Sequence, residues 1–201
     1  MTINSLVSIF EEIRDSADGR ELSEKWYRFK VRQMLGTRGS FRGVMADADT
    51  ERRKSIPEWG NLNLFWYRPK TAKKLPYYDV FPIVLPFEKH RDGFTGINFH
   101  YLPIYMRIKL LELLDAGYGD DDKGRLQVFW KDVKRLKLAR PIVRRYLAPN
   151  VKSLFLSIPL EDMFVAVLLP VEKFYKGSWS SKRGVSSRVV WKDIQGIMYC
   201  S

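Results

Sequence analysis

The sequence predicts an α+β domain: a small, curved antiparallel sheet, with an SH3-like barrel as one form it can close into, flanked by two N-terminal helices and two or three later ones. Three observations carry this reading. Apolar residues recur at helical spacing before residue 35 and again after residue 103. Between them, residues 61–67, 80–87 and 95–102 are short runs rich in Phe, Tyr, Ile, Val and Leu, separated by Pro, Gly and Asp. The last 29 residues, by contrast, are too polar and Ser-rich to build a core of their own.

In residues 4–17, Leu6, Ile9, Phe10 and Ile13 share a helical face, and Asp18-Gly19 ends it. Leu22, Trp26, Phe29 and Met34 then line a second helix whose other side carries Lys25, Arg28 and Arg32. Residues 36–58 lose periodicity and gather glycines among arginines, which reads as a long basic loop that orders on a partner. Of the three strand-like runs that follow, the one around 81–87 contains Pro82 and Pro86, which lack a ladder N–H, so it is expected at an edge or interrupted. His90-Arg91-Asp92-Gly93 supplies a hairpin turn into Phe94.

Pro103 suits the start of a helix in which Ile104, Ile108, Leu110 or Leu114, and Leu111 continue an apolar face to Gly117. After the acidic connector Asp120-Asp121-Asp122, a further helix is predicted, with Phe129, Val133 and Leu136 on one side and Lys131, Lys134 and Arg135 on the other. Pro141 ends or kinks it, leaving residues 142–147 as another turn or two. Residues 154–156 and 164–169 read as buried strands, and the tail drapes over the domain on Trp179, Val189, Val190 and Trp191. The organisation expected is an N-terminal helical segment (1–35), a basic loop (36–58), an α+β core (59–172) and a basic tail packed on that core (173–201).

The 35 Lys and Arg against 23 Asp and Glu leave a formal charge of +12, a field that draws polyanions toward the surface. Nucleic acid, an anionic membrane face and an acidic protein are the partner classes this admits. No apolar run approaches the ~20 residues that cross a bilayer, and the first residues lack the pattern of a signal peptide. A cytoplasmic site of synthesis and no membrane partner are therefore expected. The lone cysteine, Cys200, leaves no internal disulfide.

Catalytic and metal chemistry find little support. With two histidines and one cysteine no conventional zinc set exists, and the Asp120-Asp121-Asp122 run lacks the alternating oxygen ligands of a calcium loop. His100 has no sequence-adjacent nucleophile or orienting group and reads as a hydrogen-bonded structural histidine, as Asp79 reads as a turn-capping carboxylate. Phosphate-loop, dinucleotide, nucleophile-elbow and zincin motifs are all missing. The expectation is a non-enzymatic protein without cofactor, and a nuclease is the least favoured reading.

The positive signal is cationic. Arg125, Lys131, Lys134, Arg135, Lys137, Arg140, Arg144 and Arg145 crowd one stretch, and Arg38, Arg42, Arg52, Arg53 and Lys54 another, with more in the tail. Such clusters contact phosphates and release counterions, giving salt-dependent binding with little sequence preference. Each alone is more often a solvated face. Trp66-Tyr67 beside Arg68, and Trp179 near Lys182 and Arg183, are candidate stacking platforms for a single-stranded end, although aromatics of this kind more commonly pack in cores.

The block Leu75-Pro76-Tyr77-Tyr78-Asp79-Val80-Phe81-Pro82-Ile83-Val84, followed by Gly93-Phe94-Thr95-Gly96-Ile97-Asn98-Phe99-His100-Tyr101-Leu102-Pro103, resembles a block of the DNA end protector family of large contractile-tailed phages. The resemblance extends more weakly from Trp59 to about Leu147. It implies a virion protein near the head-to-tail channel, bound to double-stranded DNA at its end or along its backbone and to other virion proteins. It brings no catalytic residues. A tail or baseplate adaptor that binds other virion proteins, with no DNA role, is the alternative.

Overall fold

Between Ile83 and Asn98 the chain makes a hairpin whose cause is local: two short runs rich in apolar residues flank Arg91-Asp92, which turns the strands so that His90 faces Gly93. Two glycines let the strands of this region approach closely. A Cβ on Gly96 would stand 2.4 Å from Val84 Cγ1, and one on Gly93 only 1.9 Å from the Tyr146 carbonyl oxygen. The computed structural model in which this hairpin sits describes residues 52–118, 126–169, 171–176 and 184–199. The two expected N-terminal helices, the acidic connector and Trp179 lie outside the described residues.

Along the chain come β1 (Arg53–Lys54), β2 (Leu62–Leu64), β3 (Tyr78–Asp79), β4 (Ile83–His90), β5 (Gly93–Asn98), α1 (Ile104–Tyr118), α2 (Trp130–Val133), β6 (Val143–Leu147), β7 (Phe155–Ile158), α3 (Leu160–Leu168), β8 (Phe174–Tyr175) and α4 (Ser187–Tyr199). The expected α+β class is what the chain adopts. Six strands in the order β1-β7-β2-β4-β5-β6 form one antiparallel sheet that does not close on itself, and β3 pairs with β8 in a separate two-stranded ribbon.

The sheet has two differently covered faces, and period-two alternation assigns each side chain to one of them. Leu62, Leu64, Ile83, Leu85, Ile97 and Leu156 join the helices in the main core. Phe65, Tyr67, Val84, Phe94, Tyr146 and Phe155 make a second, largely aromatic cluster. Phe65 is its hub, with ring centroids of Phe155, Tyr146 and Phe94 at 4.8, 5.3 and 5.9 Å in tilted or edge-to-face arrangements.

Several expectations are corrected. The Pro-containing strand is interior, flanked by β2 and β5; the prolines act through an irregularity instead, since the register shifts between Pro86 and Glu88. The third strand-like run stops at Asn98, whose Oδ1 accepts from the His100 backbone N–H at 3.0 Å and winds residues Phe99–Tyr101 into a 3-10 turn. The predicted basic helix after Gly124 is one turn, α2, with the Asp132 carboxylate accepting from the Phe129 N–H at 3.1 Å at its start. Of residues 142–147, expected as helical turns, Val143–Leu147 form the edge strand β6, paired antiparallel with β5.

The apolar run at 164–169, read as a strand, lies mostly in helix α3. Its residues are buried nearly all round, which removes the periodicity that separates the two structures. The tail holds an unpredicted helix, α4, which buries Val190 and Trp191 and partly covers Ile194; Val189, expected as an anchor, is exposed.

Candidate nucleic-acid interface

Arg107 is the largest fully buried side chain described, and its position in α1 was not singled out by the charge pattern. Its Nε donates to the Leu102 carbonyl at 2.9 Å and its Nη1 to the Val167 carbonyl at 3.2 Å, so it satisfies carbonyls that the 3-10 turn and the C-terminal end of α3 leave over. Glu172 Oε2 stands 3.3 Å from Nη2. Burial pulls the Arg107 pKa below its ordinary value, while Glu172 acts to raise it. Burial alone would raise the Glu172 pKa, but Arg107 and then His100 outweigh it and hold the carboxyl below its usual range.

Beside this pair, His100 Nδ1 lies 2.7 Å from Asp79 Oδ2, and both side chains are sealed from solvent. Asp79 Oδ1 accepts from the backbone N–H groups of Phe81 and Lys173 at 3.0 and 3.2 Å, the capping work expected of it. The buried carboxylate and imidazole fasten the 3-10 turn to β3.

The sequence-predicted basic residues separate into distinct environments. Lys134, Lys137 and Arg140, all exposed, converge with Met106, Trp191 and Gln195 on a groove of about 430 Å³. Next to it, Lys131 Nζ and Lys134 Nζ each lie 5.5 Å from the centroid of an exposed ring, Phe129 and Trp130 respectively. Arg135 is exposed on the same stretch without lining the groove. This local concentration of cations over exposed aromatic surface is suited to phosphates, with the exposed Phe129 ring beside them, while the Trp130 ring is stacked on Phe87 at 5.6 Å.

Arg144 and Arg145 lie on β6 and line a different cleft, described below. Arg53 and Lys54 lie on β1, at the opposite edge of the six-stranded sheet, about 24 Å away if adjacent strands are ~4.8 Å apart. Arg52 is committed elsewhere: its Nη1 is 2.6 Å from Asp162 Oδ2, and Asp162 is 1% exposed. Arg38, Arg42 and Arg125 lie outside the described residues.

The second cleft, about 420 Å³, opens between β6 and the segment leading into β3. Tyr67, Tyr77, Tyr78, Tyr101 and Tyr146 line it. At its rim stand Lys70 and Arg145, both exposed, and Arg145 pairs with Asp92. Arg144 is laid over the Tyr101 ring, 4.0 Å from the centroid, and held there by donating to the carbonyls of Pro141 and Val143 at 2.9 and 2.7 Å. Burial raises the Tyr146 pKa well above its ordinary value, so this phenol stays neutral and accepts from Asn98 Nδ2 at 2.9 Å. The sequence pointed at Tyr67 as a stacking residue; only the fold brings the other four tyrosines to it. Its neighbour Trp66 turns to the other face, half-buried, with its ring 4.7 Å from that of Phe81.

Among the described residues, no helix is long and apolar enough to cross a membrane. A family model described as the phage T4 terminal DNA protecting protein matches residues 8–194, nearly the whole chain. The chain belongs to that family, a phage family of DNA-end protection and not an enzyme family. Searches of curated proteins and of solved structures returned no match.

Proposed function

We propose that this member of the terminal DNA protecting family is a non-enzymatic virion protein that contacts packaged DNA near the head-to-tail channel and shields the genome end. The observation that carries the reading is the convergence of Lys134, Lys137 and Arg140 on one groove beside exposed Phe129 and Trp130, in a chain matched over residues 8–194 by that family. The three cations track phosphates, which positions the protein without reading sequence. Lys131 and Arg135 extend the same field, and Arg53 and Lys54 offer a separate contact on the far edge of the sheet. Contacts to other virion proteins belong to the same reading, with the exposed apolar side chains Tyr105 and Leu113 of α1 as the surface for them.

Titration of the full chain against blunt linear duplex and a closed circle of equal length, at two salt concentrations, with an exonuclease-protection readout, tests this. The expected result is preference for the linear form with protected ends and affinity that falls steeply with salt. Equal binding to both forms reduces the reading to general polyanion affinity. No binding at low salt sinks it and leaves a tail or baseplate adaptor as the better account.

A further inference from the structure

We infer that the tyrosine cleft between β6 and β3 is a pocket for the terminal nucleotide of a DNA strand, unstacked from its duplex. This rests on the end-protecting role and deepens it: the basic groove holds backbone, and the cleft takes the end itself. Three features of the cleft point to a nucleotide. Its volume of about 420 Å³ lies within the ~300–1,000 Å³ of small-molecule sites. Its walls are aromatic, as a base needs for stacking. Its cations, Lys70 and Arg145 at the rim and Arg144 further in, are placed for a phosphate while the rings take the base.

The polar groups agree. Asp79 is the one carboxylate among the described lining residues, and its oxygens are taken up by His100 and by the backbone N–H groups of Phe81 and Lys173, so it presents little free charge to a phosphate. Tyr78 lines the cleft and keeps its hydroxyl buried with no hydrogen-bond partner. Such a deficit is rare in native interiors. Arg144 is pre-organised, its guanidinium fixed on Tyr101 by two backbone carbonyls, so little side-chain freedom is lost when an anion arrives. The chemistry also suits protection: an exonuclease that must thread the terminal nucleotide into its own site finds that nucleotide occupied.

The test places 2-aminopurine at the last nucleotide of a duplex with one open end, and in a second duplex six pairs inward, and follows its fluorescence as the full chain is added. Stacking in the cleft quenches the terminal probe and leaves the internal one unchanged. Thr71→Trp, at the exposed mouth, fills the cleft without touching the core. It is expected to abolish the terminal quench and weaken binding to the open end about tenfold, the loss of roughly one stacked base, with binding to a closed circle unchanged. Should Thr71→Trp melt early, the rim pair Lys70→Glu with Arg145→Glu gives the same readout from exposed positions. Free 2-aminopurine deoxynucleoside monophosphate separates a strand end from a loose nucleotide; tighter quenching by the free form overturns the proposal. So does a quench that survives in both variants. Exonuclease protection by the wild-type chain without terminal quenching overturns the cleft and leaves end protection standing, whereas neither protection nor quenching removes both.

Discussion

Arg107 and Arg140 are both arginines on the helical side of this protein, yet one is fully buried with backbone carbonyls around it and the other is exposed at a groove with Lys134 and Lys137. Burying a guanidinium is tolerable only when its donors are met and its charge is paired, as Leu102, Val167 and Glu172 do for Arg107. The groove cations keep their water and have no such obligation, so they are free to exchange it for phosphate. Positive charge therefore does two unrelated jobs here, one holding α1 to α3 and one facing a polyanion. Mutation separates them, because the first kind of residue is read by stability and the second by salt-dependent binding.

The sharpest break is Arg107→Ala. It leaves the Leu102 and Val167 carbonyls and the Glu172 carboxylate without their partner, and the expected loss is about 3–5 kcal/mol in denaturant unfolding. Arg52→Ala is expected next, at about 3 kcal/mol, because it strips the 2.6 Å partner from buried Asp162; a DNA-affinity loss at full stability would instead return Arg52 to the binding surface. The acid limb of the stability profile comes third. Glu172 has its folded pKa held below the ordinary glutamate value, so its contribution is complete above that value and is lost as pH falls through the lower, folded one. Glu172→Gln should thus differ from wild type most near neutrality, with the two melting curves converging on acidification.

The groove closes the series with the smallest change in stability. Lys134, Lys137 and Arg140 replaced together by alanine should leave unfolding within about 0.5 kcal/mol of wild type. The same variant should reduce the slope of log affinity against log salt by about 2.7 if all three meet phosphates. A normal salt slope would place the DNA elsewhere, with the Arg53 and Lys54 edge as the next surface to test.

Legibility in the sequence followed how local the cause was. The hairpin of β4 and β5 was readable because its apolar runs, turn and glycines lie within 16 consecutive residues. The start of α1 was readable from Pro103, whose carbonyl accepts from the Arg107 N–H at 3.3 Å. Helix α3 was misread because burial on all sides gives a helix and a strand the same apolar run. For α4 the signal was present, in Val190, Trp191 and Ile194 at helical spacing, but the Ser-rich composition around it spoke louder. Strand β6 was hidden behind the charges of Arg144 and Arg145, which break any period-two pattern between Val143 and Tyr146, so only its pairing with β5 reveals it.

By itself the sequence determined the mixed class, the excess of positive charge, the central hairpin and the resemblance to the DNA end protectors, since each depends on composition or on neighbours along the chain. The tertiary structure alone decided which cations are exposed and which are paired, and it alone brought Tyr67, Tyr77, Tyr78, Tyr101 and Tyr146 around one cleft. The reason is that burial and proximity are properties of packing between distant segments. A residue's letter fixes what chemistry it can offer, and only its neighbours across the fold fix whether that chemistry is spent on the core or left for a ligand.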